Sequence, residues 1–334
     1  MSTPNKIQIL LTGATGYLGG SVLDRLLKHP SAASFIITAL VRSQEKAQKL
    51  ESLGVKAAVG SLVDTTLVQD LAASSDMIFS IATVESETAT GIMLAGAKKR
   101  YQKTGTRTVV IHTAGASIVS DDDSGMTASE VVVSDTDADT IEAFPLTTPH
   151  RKTNAALVAA DKEGYVRVHI ICPGNVWGTA TGAIVDAGVQ SPQSKVIPLL
   201  LDIGTRRGAA GMIGLGKNIW VHVSLEDLLE LYMKLFDAAW ADDITPHGRF
   251  GFYFAGNGAL SMYDFSKAIG EALVAAGKIT SPEPTSLSEQ EISAMPFMKL
   301  FGKNHCVKCD HARAVGWKPV QDVHAMLASI KGCL

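Results

Sequence analysis

Strand-length apolar runs at residues 7–11, 35–41, 55–59, 76–81 and 108–113 punctuate the first third of the chain. Between them the apolar positions switch to helical spacing: Leu18, Val22, Leu26 and Leu27; Ala47, Leu50 and Leu53, closed by Gly54; residues 67–71; and residues 87–103. A strand apolar on successive residues is buried on both faces, and strands that alternate with helices pair in parallel. The pattern predicts an α/β fold, a doubly wound parallel sheet with helices on both faces.

The rhythm breaks at residues 117–148. Acidic side chains gather there, Asp121, Asp122, Asp123, Asp135, Asp137 and Asp139 among them, and no Lys or Arg occurs between Arg107 and Arg151. The stretch reads as a solvated surface excursion, or as a lid beside an active site, since long loops in compact domains are often functional. A helix then begins near Pro149, with the proline in a favoured first-turn position, and Gly164 ends it. Residues 166–172 make a sixth strand. Past Pro173 glycine and proline become frequent, and helices at 225–239 and 263–276 alternate with single strand-like runs such as 250–254. This predicts one domain over residues 1–172 and a smaller C-terminal lobe over 173–334. The lobe interleaves with the last strands and helices of the first domain at 222–255.

The first strand passes into the first helix through Thr12-Gly13-Ala14-Thr15-Gly16-Tyr17-Leu18-Gly19. Glycines at these positions let the backbone approach a pyrophosphate, and the helix start supplies free amides and a positive dipole end. The strand–turn–helix context is the one a dinucleotide site requires. Gly13, Thr15, Gly16, Tyr17, Leu18 and Gly19 are therefore cofactor candidates on a Rossmann-type sheet. The second strand ends in Thr38-Ala39-Leu40-Val41-Arg42, with no carboxylate to hold ribose hydroxyls. Arg42 suits a 2′-phosphate, which favours NADP(H) over NAD(H).

Composition sets limits. The 334 residues are 46% hydrophobic and 19% charged, with a net charge of -3 that gives no electrostatic case for nucleic acid. No apolar run reaches membrane-spanning length, and residues 1–8 lack the apolar core of a signal peptide. A soluble, cytoplasmic protein is expected, with no membrane partner. Cys172 lies in a strand-like run and reads as a core residue. Cys306 and Cys309 form one CxxC flanked by His305 and His311; without a second pair of ligands the spacing predicts no metal site.

TGATGYLGG, ALVR, Gly60-Ser61-Leu62, HTAG at 112–115 and CPGNVWG at 172–178 resemble the short-chain dehydrogenase/reductase superfamily. The likeness is to its extended and atypical branches, the NAD-dependent epimerase/dehydratase family and the NmrA-like proteins. Trp220-Val221-His222-Val223 before an acidic helix start and Val315-Gly316-Trp317-Lys318-Pro319 extend it over nearly the whole chain. The resemblance implies that Ser61 and Leu62 meet the adenine, that Ala82 and Thr83 lie along the cofactor, and that Pro173, Gly174, Asn175 and Val176 flank the nicotinamide. It also implies a substrate cleft between lobe and sheet, with Thr83, Ala114, His150, Trp177, Trp220 and Tyr263 as candidates to line it.

The catalytic positions depart from the family pattern of Tyr-x-x-x-Lys with a serine or threonine after the fifth strand. Alignment on Pro149 puts His150 at the tyrosine and Asn154 at the lysine, while Lys152 falls two residues short. Ala114 occupies the serine position, with Thr113 adjacent. Two readings follow. In one, the protein is a reductase, epimerase, dehydratase or non-redox relative acting on a small organic molecule, with His150 in proton transfer, Asn154 at the nicotinamide ribose and Thr113 in support. In the other, it is a non-catalytic NADP(H)-sensing regulator that works through a protein partner. Neither reading specifies an oligomeric state.

Overall fold

The computed structural model describes residues 6–82, 85–241 and 244–333. Its first half runs β1 (Ile7–Thr12), α1 (Tyr17–Leu27), β2 (Phe35–Val41), α2 (Gln44–Ser52), β3 (Lys56–Val59), α3 (Thr65–Ala73), β4 (Met77–Ser80), α4 (Glu87–Thr104) and β5 (Thr108–Thr113). Then come β6 (Val133–Ser134), α5 (Ala138–Ala143), α6 (Arg151–Lys162), β7 (Val166–Pro173) and β8 (Asn175–Trp177). The remainder holds α7 (Ala183–Asp186), α8 (Val196–Arg207), β9 (Gly211–Met212), β10 (Ile219–Ser224), α9 (Leu225–Ala241) and β11 (Phe252–Ala255). It continues through β12 (Ala259–Ser261), α10 (Met262–Ala275), β13 (Thr285–Ser286) and β14 (Val307–Lys308), with shorter helices after α10.

A parallel sheet of seven strands forms in the order β11-β7-β5-β4-β1-β2-β3. The expected α/β architecture is present. Strands β4 and β5 are buried at every position, which is why their sequences read as continuous apolar runs rather than alternating ones. The chain leaves β1 toward β2 in one direction and toward β4 in the other. The crevice beyond the carboxyl ends of β1 and β4 is therefore the topological switch point, where doubly wound sheets take ligands. Thr12 pins that crevice. Its hydroxyl donates to the Phe79 carbonyl at 3.3 Å and accepts from the Ile81 and Ala82 amides at 3.0 and 3.3 Å.

The lobe has its own apolar cluster, built from α8, α10 and the sheet β12-β10-β8, with Trp177, Leu201, Trp220, Phe265 and Phe301 inside it. It grips the sheet through α1: Tyr17 donates to the Gly178 carbonyl at 2.8 Å, and Asp24 accepts from the Ala183 amide at 3.0 Å. The C-terminal Trp317 is fully buried, and its indole N–H donates to the Asp227 carbonyl at 2.6 Å.

Residues 117–148 are a solvated excursion only in part. Asp122 and Asp139 are exposed, but Asp135 is 1% exposed and holds two elements together. Its carboxylate accepts from the amides of Phe254 at 3.0 Å and His311 at 2.9 Å. Burial raises its pKa against those hydrogen bonds. Asp121 accepts from the Asn304 backbone at 3.0 Å and side chain at 2.6 Å, and β6 pairs in parallel with β14. The segment is a strap that fixes residues 303–311 against the sheet.

The helix expected from Pro149 also shifts. Helix α6 starts at Arg151, with His150 as its N-cap in the left-handed region at φ 65°. Pro149 precedes the cap and is not in the first turn. A non-glycine residue held at positive φ carries strain, which clusters at functional sites.

Candidate functional site

The turn after β1 builds a cradle. Gly13 sits at φ +85°, where other residues are strained, and its carbonyl accepts from the Gly16 amide at 2.9 Å. A Cβ on Gly19 would overlap that same carbonyl, so the third glycine lets α1 close onto the turn. Gly16 caps α1 without a side-chain hydrogen bond, and the first turn carries no acidic residue. The amides at this helix start are left for an anion.

A groove of about 360 Å³ opens over the cradle, lined by Gly13, Thr15, Gly16, Leu40, Val41, Arg42, Gly60, Ser61, Leu62 and Ala82. It gathers most of the cofactor candidates from the ends of β1 to β4. Tyr17 reaches the lobe and a second cleft, while Leu18 packs on the core beneath the turn. Arg42 is exposed and has no hydrogen-bond or ion-pair partner among the described residues. Ser61 spends its hydroxyl on the Val63 amide at 3.4 Å. Thr83 lies outside the described residues.

The second cleft, about 320 Å³, lies between sheet and lobe. Ala114, Gly115, Ala116 and Ser117 form one wall, Pro173, Gly174, Asn175 and Val176 another, and Ser194, Lys195, Val196 and His305 a third. The loops after β5 and β7 thus meet where the resemblance places the reacting groups. The sequence reading had not placed Ser117, Lys195 or His305 in the cleft.

His150 abuts this wall. A methyl on Gly115 would stand 2.9 Å from His150 Nε2, and on its other side His150 Nδ1 lies 2.8 Å from the Glu85 carboxylate. A carboxylate beside one imidazole nitrogen favours a proton on that nitrogen. Glu85 was not anticipated; an acidic residue a few positions past the fourth strand is the signal that could have pointed to it.

The other catalytic candidates lie apart. Thr113 is 4% exposed, and its hydroxyl is 2.5 Å from Tyr232 in α9, so it serves the core and lines neither cleft. Asn154 is fully buried, and both polar atoms of its side chain lack partners. It lies behind His150 and lines no described cavity. Thr90 Oγ1 and His112 Nε2 are buried and unpartnered as well, while His112 Nδ1 meets Ser80 Oγ at 3.1 Å. Burial holds His112 neutral, at a pKa of about 3.

Two proposed cleft aromatics belong elsewhere. Trp177 is packed in the lobe core, and Trp220 stacks on His305 and donates to the Lys303 carbonyl at 2.9 Å. Neither lines the cleft, because the lobe needs both to fill its interior. The Tyr263 hydroxyl is on the surface, 2.8 Å from Glu283. Cys172 is buried in β7. Cys309 is also buried, with its thiol 3.7 Å from the Gly256 carbonyl.

Residues 5–105 match the model of the NmrA-like family. The chain is 28% identical to the oxidase ucsJ of Acremonium sp over 333 residues, 94% of this chain and 93% of that protein. It is 34% identical over 84 residues to the 4-hydroxy-2-methyl-3-oxo-4-farnesyl-3,4-dihydroquinoline-1-oxide ketoreductase of Stigmatella aurantiaca, a match covering 25% of this chain and 24% of that one. Its fold is similar to that of the dTDP-glucose 4,6-dehydratase of Bacillus anthracis, solved with NAD, at a TM-score of 0.64 and 13% identity over 98% of this chain and 96% of that one. The match over residues 5–105 bears out the resemblance to NmrA-like proteins, and the fold is similar to that of the dehydratase structure. Among the described residues no helix is long and apolar enough to cross a membrane.

Proposed function

We propose that the protein is an NADP(H)-dependent oxidoreductase acting on a carbonyl or hydroxyl group of a small organic molecule, with His150 as the proton-transfer residue. The observation that carries this reading is the imidazole fixed between Glu85 and the Gly115 wall of the cleft. The matched oxidase and ketoreductase support redox chemistry, and the dehydratase solved with NAD supports a nicotinamide cofactor.

The residues present fit the cofactor. The uncapped amides of α1 and the glycine turn accept a pyrophosphate, the groove beside Ser61 and Leu62 accepts an adenine, and the free Arg42 guanidinium accepts a 2′-phosphate. When bound, the nicotinamide supplies or takes up a hydride. His150 delivers a proton to the substrate oxygen, or removes one, through Nε2. Glu85 at Nδ1 orients the ring and offsets the charge that imidazolium gains.

The test is NADPH consumption, followed by absorbance, against a panel of ketones and quinones, with His150→Ala as control. Turnover that the alanine variant loses supports the reading. The regulator reading rests on Asn154, which brings no charge to the lysine position, and on the NmrA-like match. NADP(H)-dependent capture of a protein partner with no turnover of the panel would favour it.

A further inference from the structure

His305 comes from residues 303–311, far in sequence from the sheet, and reaches the cleft because the acidic strap holds that segment. Its backbone N–H donates to the Ile219 carbonyl at 2.8 Å, and its ring stacks on Trp220 at 4.9 Å with planes 24° apart. These contacts fix the ring. The residue is 8% exposed, and among the described residues its buried Nε2 has no hydrogen-bond partner. A buried polar atom left unpaired calls for an explanation, and a ligand that completes it is one.

The other polar side chains of the cleft are spent or lie nearer its mouth. Tyr17 donates to Gly178, and the Asn175 amide donates to His222 Nδ1 at 3.2 Å. Ala114 has no hydroxyl, and that of Thr113 is taken by Tyr232. Ser117 and Ser194 are half-buried and Lys195 is exposed, whereas His305 is deep in the wall.

We propose that His305 is a catalytic residue whose Nε2–H donates a hydrogen bond to the carbonyl oxygen of the substrate in this cleft. The assignment rests on reading the cleft as the reaction site. Burial, before the charges of His150, Lys303 and His222, pulls the pKa of His305 down to about 3, so the ring is neutral at physiological pH. A neutral imidazole with its proton on Nε2 polarises a carbonyl without giving the proton up, which leaves proton transfer to His150. The position after β5 carries no hydroxyl, and the C-terminal segment supplies the donor in its place.

The test uses the full-length protein and 9,10-phenanthrenequinone as the carbonyl probe. His305→Phe keeps a ring on Trp220 without a donor, and His305→Gln keeps a donor. In [15N]histidine spectra of the wild-type protein with NADP+, the Nε2 resonance that His305→Phe removes should shift when the quinone is added. With NADPH, kcat/KM should fall about tenfold or more in His305→Phe and recover in His305→Gln, with NADPH affinity unchanged in both. Wild-type turnover of the quinone without the spectral shift, or with no loss in His305→Phe, overturns the assignment and leaves the redox reading intact. A shift without turnover keeps the hydrogen bond and removes the redox reading. Absence of both overturns both.

Discussion

The floor of the crevice, formed after β1, β2 and β3, is mostly backbone: uncapped helix amides, the Gly13 carbonyl turn and the edge of β4 pinned by Thr12. The wall after β5 and β7 brings in side chains: His305 lines it, and His150, beside Glu85, abuts it at Gly115. The floor keeps the superfamily pattern while the wall departs from it. A pyrophosphate is met by backbone amides and a helix start, whereas a substrate is met by side-chain donors. The proposed function therefore makes binding and chemistry separable by mutation.

Gly16→Val breaks the floor most severely. Gly16 sits at φ -90°, and a Cβ there meets only the Gly13 carbonyl, at 3.3 Å, so the protein should fold, with the isopropyl group occupying phosphate space. Titration calorimetry should detect no NADPH binding, and circular dichroism should match wild type. His150→Ala strikes the wall instead. Turnover should drop about 10²–10⁴-fold, the usual share of positioned proton transfer, while the NADPH dissociation constant stays put. Equal losses of binding in both variants would erase the separation. Arg42→Ala should weaken NADPH about 10- to 100-fold through loss of charge-assisted bonds and leave NADH unchanged. Thr113→Val should cost roughly 1–3 kcal/mol in denaturant melts by orphaning the Tyr232 hydroxyl, with turnover near wild type.

A further effect is graded with pH. Burial lowers the pKa values of His112, His169 and His305 to about 3 and of His222 to about 4, from an unfolded value of 6.5. Between those limits the unfolded chain binds more protons, so stability rises with pH. The contribution is complete above about pH 6.5 and is lost as pH falls toward the folded values. Denaturation midpoints measured across pH 4 to 7 should fall on acidification. His305→Phe should fall less steeply than wild type.

The floor was legible in the chain because its signals are local. Phe35–Val41 and Thr108–Thr113 announced β2 and β5 by apolar runs alone, and Gly13, Gly16, Gly19 and Arg42 lie within a few residues of the strands that place them. The wall was legible where motifs located it, at Ala114, at Pro173 to Val176 and, by a motif offset, at His150 beside it. His305 was read only as a flank of the CxxC, because Asp121, Asn304 and the pairing of β6 with β14 bring it to the cleft from far along the chain. Trp177 and Trp220 misled for the converse reason: aromatic residues near a cleft in sequence were needed for a second core that local patterns do not reveal. Asp135 looked like one more surface carboxylate, and its burial follows from long-range contacts with Phe254 and His311.

The separation of floor from wall stands first on the floor binding its cofactor through Arg42. Titration of the wild-type protein with NADPH and with NADH tests this directly. Binding of NADPH at least about tenfold tighter than NADH is the expected result, as one charge-assisted contact to the 2′-phosphate would give. Equal affinities, or no binding of either, would contradict it.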